Sequence, residues 1–402
     1  MDVKIFKSTP KGEIKAPPSK SFSHRYLLGA MLSSQESTIY NVALSEDILA
    51  TLDCLKAFGC DYQINNDQIR IIPNQKSNEN PLFCCRESGS TLRFMIPISL
   101  TKYQHVTFQG TERLIGRGIE IYEDIFKKQG IRVIKEGNKI QIDGKLKPGV
   151  FEVTSNVSSQ YITGLLFSLP LLSGDSVIKL IPPIYSKPYI DITLDIIKKY
   201  HIQYQIKGNE IYIPGNQKYT ASDFEIEADF SNSAFLEAFN YFSGQVKVTN
   251  LNKNSLQGDK VYQELFVKLN QDNPVIDIAN AIDLGPILFT FASLKNGATF
   301  INTERLRIKE SDRVMAMKTE LEKIGVKMEA SQNQVKIDKS QIYPPKESFS
   351  SHNDHRICMA LSLLSTKFDI IINNAEVVKK SYPNYFQDLE TLGVKINYYD
   401  VK

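Results

Sequence analysis

A short pattern of one helix and two strands recurs along the chain and limits the folds that it can adopt. An amphipathic helix ends near a glycine, and two short strands follow around a polar turn, as in Leu55–Gly59, Asp61–Ile64 and Gln68–Ile72. The strands alternate apolar and polar residues, so each should have one face on a core and one face in solvent. The same pattern begins at Phe126–Gly130, Ile196–Tyr200, Leu321–Gly325 and Leu389–Gly393, and a degenerate copy lies near Leu265–Ile278.

The spacing of these copies predicts two similar halves. About six copies recur roughly every 55–70 residues, which is too long a period for a solenoid. Three copies precede and three follow a boundary that we expect near Thr220–Glu227, after the turn Pro214–Asn216. The short strand Val3–Phe6 could belong to either half. We therefore expect the 402 residues to form a mixed α/β protein of two domains.

A polar cluster precedes a longer apolar helix in every copy. These helices are apolar nearly all round and should be buried, so Ser, Asp and Asn at their starts are expected as caps. The clusters are Pro18–Arg25, Glu87–Arg93, Ser155–Gln160, Asp229–Ser233, Asp283–Pro286 and Asn353–Arg356. The helices that follow them are predicted to start at Tyr26, Phe94, Tyr161, Ala234, Ile287 and Ile357.

Capping does not explain the basic residues in these clusters. Lys20, Arg25, Arg93 and Arg356 lie at helix starts, where the helix dipole disfavours positive charge unless an anion is bound. A single further cation is more often a surface charge than a ligand. Together, however, the cations predict a site, assembled from both halves, for small molecules with several negative charges. The further cations are Arg113, Arg117, Lys187, Lys379 and Lys380.

The segment Arg305–Arg313 has six charged side chains in nine residues and precedes a predicted helix, Val314–Ile324. Ser311 is the expected N-cap of that helix. Glu310 has Lys309 and Arg313 as neighbours, which suits a proton carrier beside an anionic ligand. The alternative interpretation is a solvated, charged helix start.

Composition argues against several classes of function. The net charge of +3 is small and the basic residues are dispersed, so neither nucleic acid nor a membrane surface is expected as a partner. No apolar run reaches membrane-spanning length and Met1–Lys7 has no signal-peptide character, so we expect a cytoplasmic protein. The five cysteines form no Cys-x-x-Cys pair and are expected to be free thiols. No metal site is predicted, because the close pair His352 and His355 lacks matching acidic or cysteine ligands.

The most specific segments of the chain are Ser19–Arg25, Ser158–Gln160, Ser186–Asp191, Arg307–Arg313, Asn353–Arg356 and Lys380–Pro383. In this order they resemble the 5-enolpyruvylshikimate-3-phosphate (EPSP) synthase family of enolpyruvyl transferases, and the resemblance spans nearly the whole chain. It implies an α/β fold of two similar domains, each with three βαβαββ repeats arranged as an inside-out barrel. Domains of 15–224 and of 1–14 with 225–402 are then expected, with the active site in the cleft between them.

The resemblance also implies a reaction. The family's enzymes are 3-phosphoshikimate 1-carboxyvinyltransferases of the shikimate pathway, which leads to chorismate and the aromatic amino acids. They transfer the enolpyruvyl group of phosphoenolpyruvate to the 5-hydroxyl of shikimate 3-phosphate and release phosphate. By this resemblance the chain would act as a monomer on these two small molecules, with no cofactor and no metal.

Residue roles follow from the same resemblance. Asp283 is the expected base for the hydroxyl, Glu310 the acid and base at C3 of phosphoenolpyruvate, and Lys20 the group that neutralises transition-state charge. The residues expected to bind shikimate 3-phosphate are Lys20, Ser21, Arg25, Ser158, Ser159, Gln160, Ser186, Tyr189, Asp283 and Lys309. Those expected to bind phosphoenolpyruvate are Lys20, Gly89, Arg113, Gln160, Arg313, His355, Arg356 and Lys380. Positions that match the family near the cleft, without an assigned role, are Asp47, Arg93 and Arg117.

Alternatives to this interpretation can be weighed against the residues. The sister enzyme that transfers enolpyruvyl to a UDP-amino sugar shares the fold, but its catalytic loop has a cysteine and Gly110–Gly118 has none. A non-catalytic protein that binds an anionic metabolite on this scaffold would not need Lys20, Asp283 and Glu310 together. RNA-terminal cyclases use related repeats but would require a basic surface. The positions that depart from the family pattern are Glu87, Phe94 and Arg305.

Overall fold

A computed structural model of the chain describes residues 1–73, 79–154 and 158–399. These residues form two compact units, which we call the 18–227 unit (Pro18–Glu227) and the split unit (Met1–Pro17 with Ala228–Lys402). The domain limits expected from the family resemblance, 15–224 and 1–14 with 225–402, stay a prediction. The first three residues of the predicted polar cluster Ser155–Gln160 lie outside the described residues.

The strands are short, as the alternating pattern predicts. In chain order they are β1 Asp2–Ile5, β2 Lys11–Ile14, β3 Ser37–Tyr40, β4 Cys60–Asn65, β5 Gln68–Pro73, β6 Leu82–Cys84, β7 His105–Gln109, β8 Arg132–Glu136, β9 Lys139–Asp143, β10 Val150–Thr154, β11 Ser176–Ile181, β12 Gln205–Lys207, β13 Glu210–Ile213, β14 Phe224–Glu225, β15 Gln245–Val248, β16 Val275–Asp277, β17 Gly297–Ile301, β18 Met328–Ala330, β19 Gln334–Asp338, β20 Phe349–Ser350, β21 Ile370–Asn373 and β22 Ile396–Tyr399.

The α-helices are α1 Lys20–Leu32, α2 Glu46–Phe58, α3 Gly89–Lys102, α4 Glu112–Gly116, α5 Glu120–Gln129, α6 Gln160–Ser168, α7 Lys187–Lys199, α8 Phe230–Glu237, α9 Tyr262–Lys268, α10 Gly285–Ser293, α11 Arg313–Glu322, α12 His355–Ser362 and α13 Tyr385–Thr391. Short 3₁₀ segments cover Leu169–Leu171, Ala238–Phe242, Gly258–Val261, Ile282–Leu284, Glu304–Ile308, Leu363–Thr366 and Ala375–Lys380. No helix in the described ranges combines the length and the apolar character that crossing a bilayer requires.

Among the described strands, five four-stranded sheets share one strand order. From one edge of each sheet to the other, the edge strand runs parallel to the second strand, and the third strand lies antiparallel between the second and the fourth. In the 18–227 unit these sheets are β14-β3-β5-β4, β6-β7-β9-β8 and β10-β11-β13-β12, and in the split unit they are β16-β17-β19-β18 and β20-β21-β1-β22. The hairpins predicted after Gly59, Gly130, Tyr200 and Gly325 each lie at one edge of such a sheet. The expected mixed α/β fold is therefore confirmed.

The chain ends and the weakest repeat differ from a simple tandem array. Strand β1 pairs antiparallel with β21 and β22, so the N-terminal strand belongs to the split unit. The degenerate copy near Leu265–Ile278 was expected to be a helix followed by a hairpin, and this prediction is wrong. Its helix is α9, but the single strand that follows, β16, begins the next sheet. The sheet of that repeat contains β2 and β15 alone among the described strands.

Two of the polar clusters extend into the first turns of their helices rather than lying ahead of them. α1 begins at Lys20 instead of Tyr26, and α3 begins at Gly89 instead of Phe94. Serine and threonine are tolerated there because their hydroxyls satisfy the free N–H groups of the first turn. Ser88 Oγ, for example, accepts a hydrogen bond from the Thr91 amide at 3.3 Å.

The predicted N-cap of the helix after the charged segment is also wrong by one residue. Asp312, not Ser311, caps α11, because Asp312 Oδ1 accepts from the amides of Val314 and Met315 at 3.1 and 3.0 Å. A carboxylate also interacts favourably with the helix dipole. Ser311 Oγ donates instead to Asp354 Oδ2 at 3.0 Å.

Each unit has its own apolar core, in which the long apolar helices are buried as expected. In the 18–227 unit, α3 packs closely on α6. Gly164 makes this packing possible, because a Cβ there would lie 2.6 Å from the Arg93 carbonyl oxygen. The close packing brings the polar starts of α3 and α6 together.

Candidate active site

Lys20 is the first residue of α1, and its ammonium contacts a carboxylate at the start of the next helix. Lys20 Nζ lies 2.6 Å from Asp47 Oδ2. Asp47 lies in the first turn of α2, where Ser45 accepts a hydrogen bond from the Ile48 amide as the N-cap. A carboxylate is favoured at that helix start by the dipole. The ion pair therefore fixes the ammonium relative to the starts of both helices.

Arg25 lies further along α1 and is buried among neutral oxygen atoms. Its guanidinium donates to the hydroxyls of Thr193 and Thr163 at 2.8 and 3.1 Å. It also donates to the carbonyls of Ser21 and Tyr189 at 2.7 and 3.3 Å. Burial lowers the pKa of Arg25 to about 10, so the side chain remains charged at neutral pH. Arg25 thus joins two other predicted site residues, Ser21 and Tyr189.

Gln160, the first residue of α6, contacts the start of α3. Its side chain accepts a hydrogen bond from Arg93 Nη1 at 2.9 Å and donates one to Ser90 Oγ at 2.9 Å. The backbone N–H of Gln160 donates to Ser158 Oγ at 3.2 Å. A Cβ on Gly89 would lie 3.0 Å from Arg93 Nη1, so glycine leaves the room that this approach needs. The structure therefore brings Gln160, Ser158, Gly89 and Arg93 together.

The other predicted residues of the 18–227 unit lie at helix starts or on the surface. Ser159 and Ser186 are buried at the N-cap positions of α6 and α7, and Ser186 has a left-handed backbone with φ of 53°. Arg113 is exposed on α4. Lys187 is exposed as well, and its Nζ lies 2.7 Å from Asp191 Oδ2. That ion pair favours a surface role for Lys187.

In the split unit, one buried arginine connects three carboxylates. Arg313, the first residue of α11, is 1% exposed. Its Nη1 donates to Asp283 Oδ1 at 2.9 Å, its Nη2 to Glu310 Oε2 at 2.7 Å, and its Nε to Asp354 Oδ2 at 2.8 Å. Burial would lower the pKa of Arg313, but these carboxylates raise it. The predicted base and the predicted proton carrier therefore share one cation.

Asp283 is surrounded by further cations. Lys309 Nζ lies 3.2 Å from Asp283 Oδ1, and Arg356 Nη2 donates to Oδ2 at 3.3 Å. Burial would raise the pKa of Asp283, but Arg356, Lys309 and Arg313 hold it well below its usual value. Burial lowers the pKa of Lys309, and the Asp283 carboxylate opposes that shift. Asp283 is consequently ionised over the whole neutral range.

His355 and Arg356 begin α12, and Lys380 lies in a later 3₁₀ segment. The N-cap of α12 is Asp354, whose Oδ1 accepts from the Arg356 amide at 2.9 Å. The buried His355 ring has its Nδ1 4.0 Å from Asp354 Oδ1. Lys380 is buried at the end of the segment Ala375–Lys380, whereas Lys379 beside it is exposed.

Two buried carboxyl groups that interact with these residues were not among the predicted site residues. Asp354 is 0% exposed and binds Arg313, 41 residues earlier in the chain. Asp259 is buried against the Ser231 hydroxyl. Burial and the Asp283 carboxylate raise the pKa of Asp259 to about 6, while Arg356 opposes the shift. Asp354 lies inside the motif Asn353–Arg356, whereas no motif or spacing in the sequence indicates a role for Asp259.

These contacts define two groups of charges, and each group allows a different chemistry. The cationic cluster consists of Lys20, Arg25 and Arg93 with Asp47, and its excess positive charge suits anionic ligands. The balanced cluster consists of Asp283, Glu310 and Asp354 with Lys309, Arg313 and Arg356, and its carboxylates suit proton transfer. Among the described residues, no three His, Cys, Asp or Glu side chains are arranged to hold a metal ion.

Comparison with known proteins identifies the family. A family model described as EPSP synthase (3-phosphoshikimate 1-carboxyvinyltransferase) matches residues 7–389. A 3-phosphoshikimate 1-carboxyvinyltransferase of Clostridium novyi (strain NT) is 39% identical over 98% of this chain and 97% of its own. One of Clostridium kluyveri is 40% identical over 97% of each chain. The chain belongs to the EPSP synthase family.

Solved structures of EPSP synthases have the same fold. An EPSP synthase from Acinetobacter baumannii aligns with a TM-score of 0.80 at 18% identity, covering 100% of both chains. A second structure from that organism aligns with a TM-score of 0.79 at 19% identity, covering 99% of this chain and 100% of its own. At such identities the likeness concerns the fold alone. The family match confirms the predicted enzyme class, a carboxyvinyl transferase.

Proposed function

We propose how the two clusters serve the reaction of this family. The chain transfers the enolpyruvyl group of phosphoenolpyruvate to shikimate 3-phosphate, a step of the shikimate pathway. One observation supports the assignment of residue roles above all others. Asp283 and Glu310 are held by the same buried guanidinium of Arg313, and the reaction needs both a base and an acid.

The enzyme must carry out three proton transfers, two at C3 of phosphoenolpyruvate and one at the 5-hydroxyl oxygen of shikimate 3-phosphate. The 5-hydroxyl loses a proton as its oxygen attacks C2, and we assign that proton to Asp283. C3 gains a proton from Glu310, which gives a tetrahedral intermediate. Glu310 then takes the proton back as phosphate leaves, and the hydroxyl proton finally passes to phosphate or solvent. Lys20 offsets the negative charge that develops in the transition state.

The pKa of Asp283 links substrate binding to base strength. Three cations hold this pKa well below its usual value, which makes the carboxylate a weak base. We propose that the phosphate and carboxylate groups of the substrates pair with Arg356 and Lys309. Their negative charge would then raise the pKa of Asp283 toward the range in which it accepts a proton. The base would thus become effective when the substrates are bound.

Substrate contacts are proposed as the family resemblance implies. Shikimate 3-phosphate is assigned to Ser21, Arg25, Ser158, Ser159, Ser186, Tyr189, Asp283 and Lys309, together with Lys20 and Gln160. Phosphoenolpyruvate is assigned to Gly89, Arg113, Arg313, His355, Arg356 and Lys380, also together with Lys20 and Gln160. The excess of cations over carboxylates in the cationic cluster supports these assignments, because both substrates are phosphorylated anions.

Phosphate release tests this proposal directly. Purified protein given both substrates should release phosphate, and omission of either substrate should abolish the release. Glu310→Gln should lower kcat by roughly 10²–10⁴-fold, the usual contribution of general acid–base catalysis. The variant should still fold, because the glutamine oxygen can accept the hydrogen bond from Arg313. Binding of shikimate 3-phosphate without any phosphate release would instead indicate a non-catalytic metabolite-binding protein.

We also propose that the enzyme is a cytoplasmic monomer that binds no nucleic acid. All five cysteines are free thiols, which suits a reducing compartment. The net charge of +3 offers little attraction for nucleic acid. Light scattering should give a mass near 45.6 kDa in solution. A mass twice as large would contradict the monomer.

A further inference from the structure

Glu320 is a buried carboxylate on the same helix as the organising arginine. It lies seven residues after Arg313 in α11, which is about two turns or roughly 10 Å along one helix face. Its side chain is 1% exposed. Burial would raise the pKa of Glu320, but His352, Lys323 and the Ser350 amide lower it. A buried, ionised carboxylate of this kind is stable only when donors surround it.

The donors come mainly from one segment of chain. Glu320 Oε2 accepts from the Ser350 amide at 2.9 Å, and His352 Nε2 lies 2.7 Å from Oε1. Lys323 Nζ is 2.9 Å from Oε2 and donates to the Ser348 carbonyl at 2.8 Å. The C-terminal half of α11 therefore holds the backbone and a side chain of residues 348–352.

That segment leads directly into the proposed substrate-binding residues of α12. His352 and Asn353 have left-handed backbones with φ of 51° and 53°, a conformation that residues with a Cβ rarely adopt without support. Ser350 Oγ supports the turn by accepting from the His352 amide at 3.1 Å. The next residue is Asp354, whose carboxylate is bound by Arg313. The segment is thus attached to α11 at both of its ends.

We propose that Glu320 and His352 form a clamp that positions the start of α12 for phosphoenolpyruvate binding. Neither residue touches the reacting atoms in this proposal. The clamp holds the strained turn at His352 and Asn353, and through it sets the direction in which α12 begins. His355 and Arg356 are the first residues of α12, so their side chains depend on that direction. The inference rests on the proposed function, since it uses the assignment of these two residues to phosphoenolpyruvate.

Steady-state kinetics with each substrate varied in turn test the clamp. His352→Ala should raise KM for phosphoenolpyruvate roughly tenfold, the effect of losing one hydrogen bond to a charged group, and change KM for shikimate 3-phosphate less than about twofold. His352→Gln keeps an N–H donor and should restore KM for phosphoenolpyruvate to within about threefold of wild type. Glu320→Gln should resemble His352→Ala, with kcat changed less than about twofold.

A matched control lies on the same helix. Glu322 is 51% exposed and its carboxylate is 3.8 Å from Lys318 Nζ, so Glu322→Gln should leave both KM values within about twofold of wild type. His352 is partly exposed, so His352→Ala remains informative even if Glu320→Gln fails to fold. Unchanged KM values in His352→Ala, or a fall in kcat without any change in KM, would overturn the clamp alone. Wild-type protein that releases no phosphate would overturn the proposed function and the clamp with it.

Discussion

The cationic cluster and the balanced cluster hold their charges in different ways. In the cationic cluster, Arg25 and Arg93 donate to hydroxyl, carbonyl and amide oxygens, and Lys20 is paired with a carboxylate, Asp47. In the balanced cluster, Lys309, Arg313 and Arg356 all contact the carboxylate of Asp283. Neutral oxygens orient a cation without cancelling its charge. The first arrangement therefore suits the binding of anions, and the second suits Asp283, a carboxylate that must stay ionised until a substrate arrives.

The two arrangements should also fail differently when a cation is removed. The loss of Arg313 from the balanced cluster leaves the buried carboxylate of Asp354 without its compensating cation, which is the costly case. The loss of a cation from the cationic cluster leaves neutral oxygens without a donor, which costs less. The comparison can therefore be tested by matched substitutions in the two clusters.

The largest expected effect is on stability. Arg313→Met should lower the free energy of unfolding by about 3–5 kcal/mol, because the fully buried Asp354 then loses the guanidinium that compensates its charge. Arg25→Met should lower it by about 1–3 kcal/mol, because the groups left behind are hydroxyls and carbonyls. Urea unfolding of both variants beside wild type measures the two losses.

A double variant provides the control. Asp354→Asn added to Arg313→Met removes the uncompensated charge and should recover part of the lost stability. Equal losses for Arg313→Met and Arg25→Met would contradict the distinction between the clusters. It would mean that charge compensation is not what stabilises the balanced cluster.

The next effect is on how the free energy of unfolding depends on pH. A group near the balanced cluster and a group near the cationic cluster should change it in opposite directions. Near the balanced cluster, burial and Asp283 raise the pKa of Asp259 from 3.8 to about 6. The unfolded chain gives up that proton first, so wild type loses stability as the pH rises from about 4 to about 6. Asp259→Asn carries no such loss and should be more stable than wild type at pH 7, by on the order of 1–3 kcal/mol.

Beside the cationic cluster, His24, which precedes Arg25 in α1, should act in the other direction. Burial lowers the pKa of His24 from 6.5 to about 3. The unfolded chain then binds a proton before the folded chain does, so wild type loses stability as the pH falls from about 6.5 toward 3. His24→Gln should flatten that acid slope. Chemical denaturation of both variants between about pH 3.5 and 7.5 gives the comparison, and parallel curves for Asp259→Asn and His24→Gln would contradict it.

The sequence predicts the fold well where the residues in contact are neighbours in the chain. A helix, a glycine and a hairpin are adjacent in the chain, so the repeat was recognisable from alternation and turn residues. Strand β1 was not assignable, because Val3 pairs with Ile372 and Tyr398 at the far end of the chain. Residue spacing does not predict which strands pair when they are so far apart in the sequence. The predicted starts of α1 and α3 are too late because hydrophobic periodicity is weak in first turns that contain serine or threonine.

The same limit applies to the site. The motifs predicted which segments are polar, but not which charges pair. Ser311 and Asp312 are both good N-caps, and only the structure shows that Ser311 binds Asp354 instead. Asp354 and Arg313 are 41 residues apart, so their ion pair depends on the packing of α11 against α12. The substrate assignments of individual residues stay predictions that the experiments above address.

A smaller effect tests whether the geometry of the cationic cluster matters in addition to its charge. A methyl group on Gly89 would lie 3.0 Å from Arg93 Nη1 and 3.1 Å from Arg117 Nη1. Gly89→Ala should displace these guanidinium groups and raise KM for phosphoenolpyruvate roughly tenfold, as expected for mild overpacking. Gly116→Ala is the matched control, because a Cβ there meets no atom within 4 Å. Equal KM values for the two variants would show that the charge of the cationic cluster is sufficient for phosphoenolpyruvate binding, whatever its geometry.

The smallest effect is expected at Lys187, a cation of the same unit that lies outside the cationic cluster. Its side chain is 66% exposed and is paired with Asp191 one helical turn later. Exposed pairs of this kind contribute about 0–1 kcal/mol, so Lys187→Ala should change the free energy of unfolding by less than about 0.5 kcal/mol. Both KM values should stay within about twofold of wild type, because solvent and Asp191 already satisfy the ammonium. A tenfold rise in KM for shikimate 3-phosphate would show that an exposed, ion-paired lysine can still bind this substrate. Lys187 would then have to be grouped with Lys20, Arg25 and Arg93.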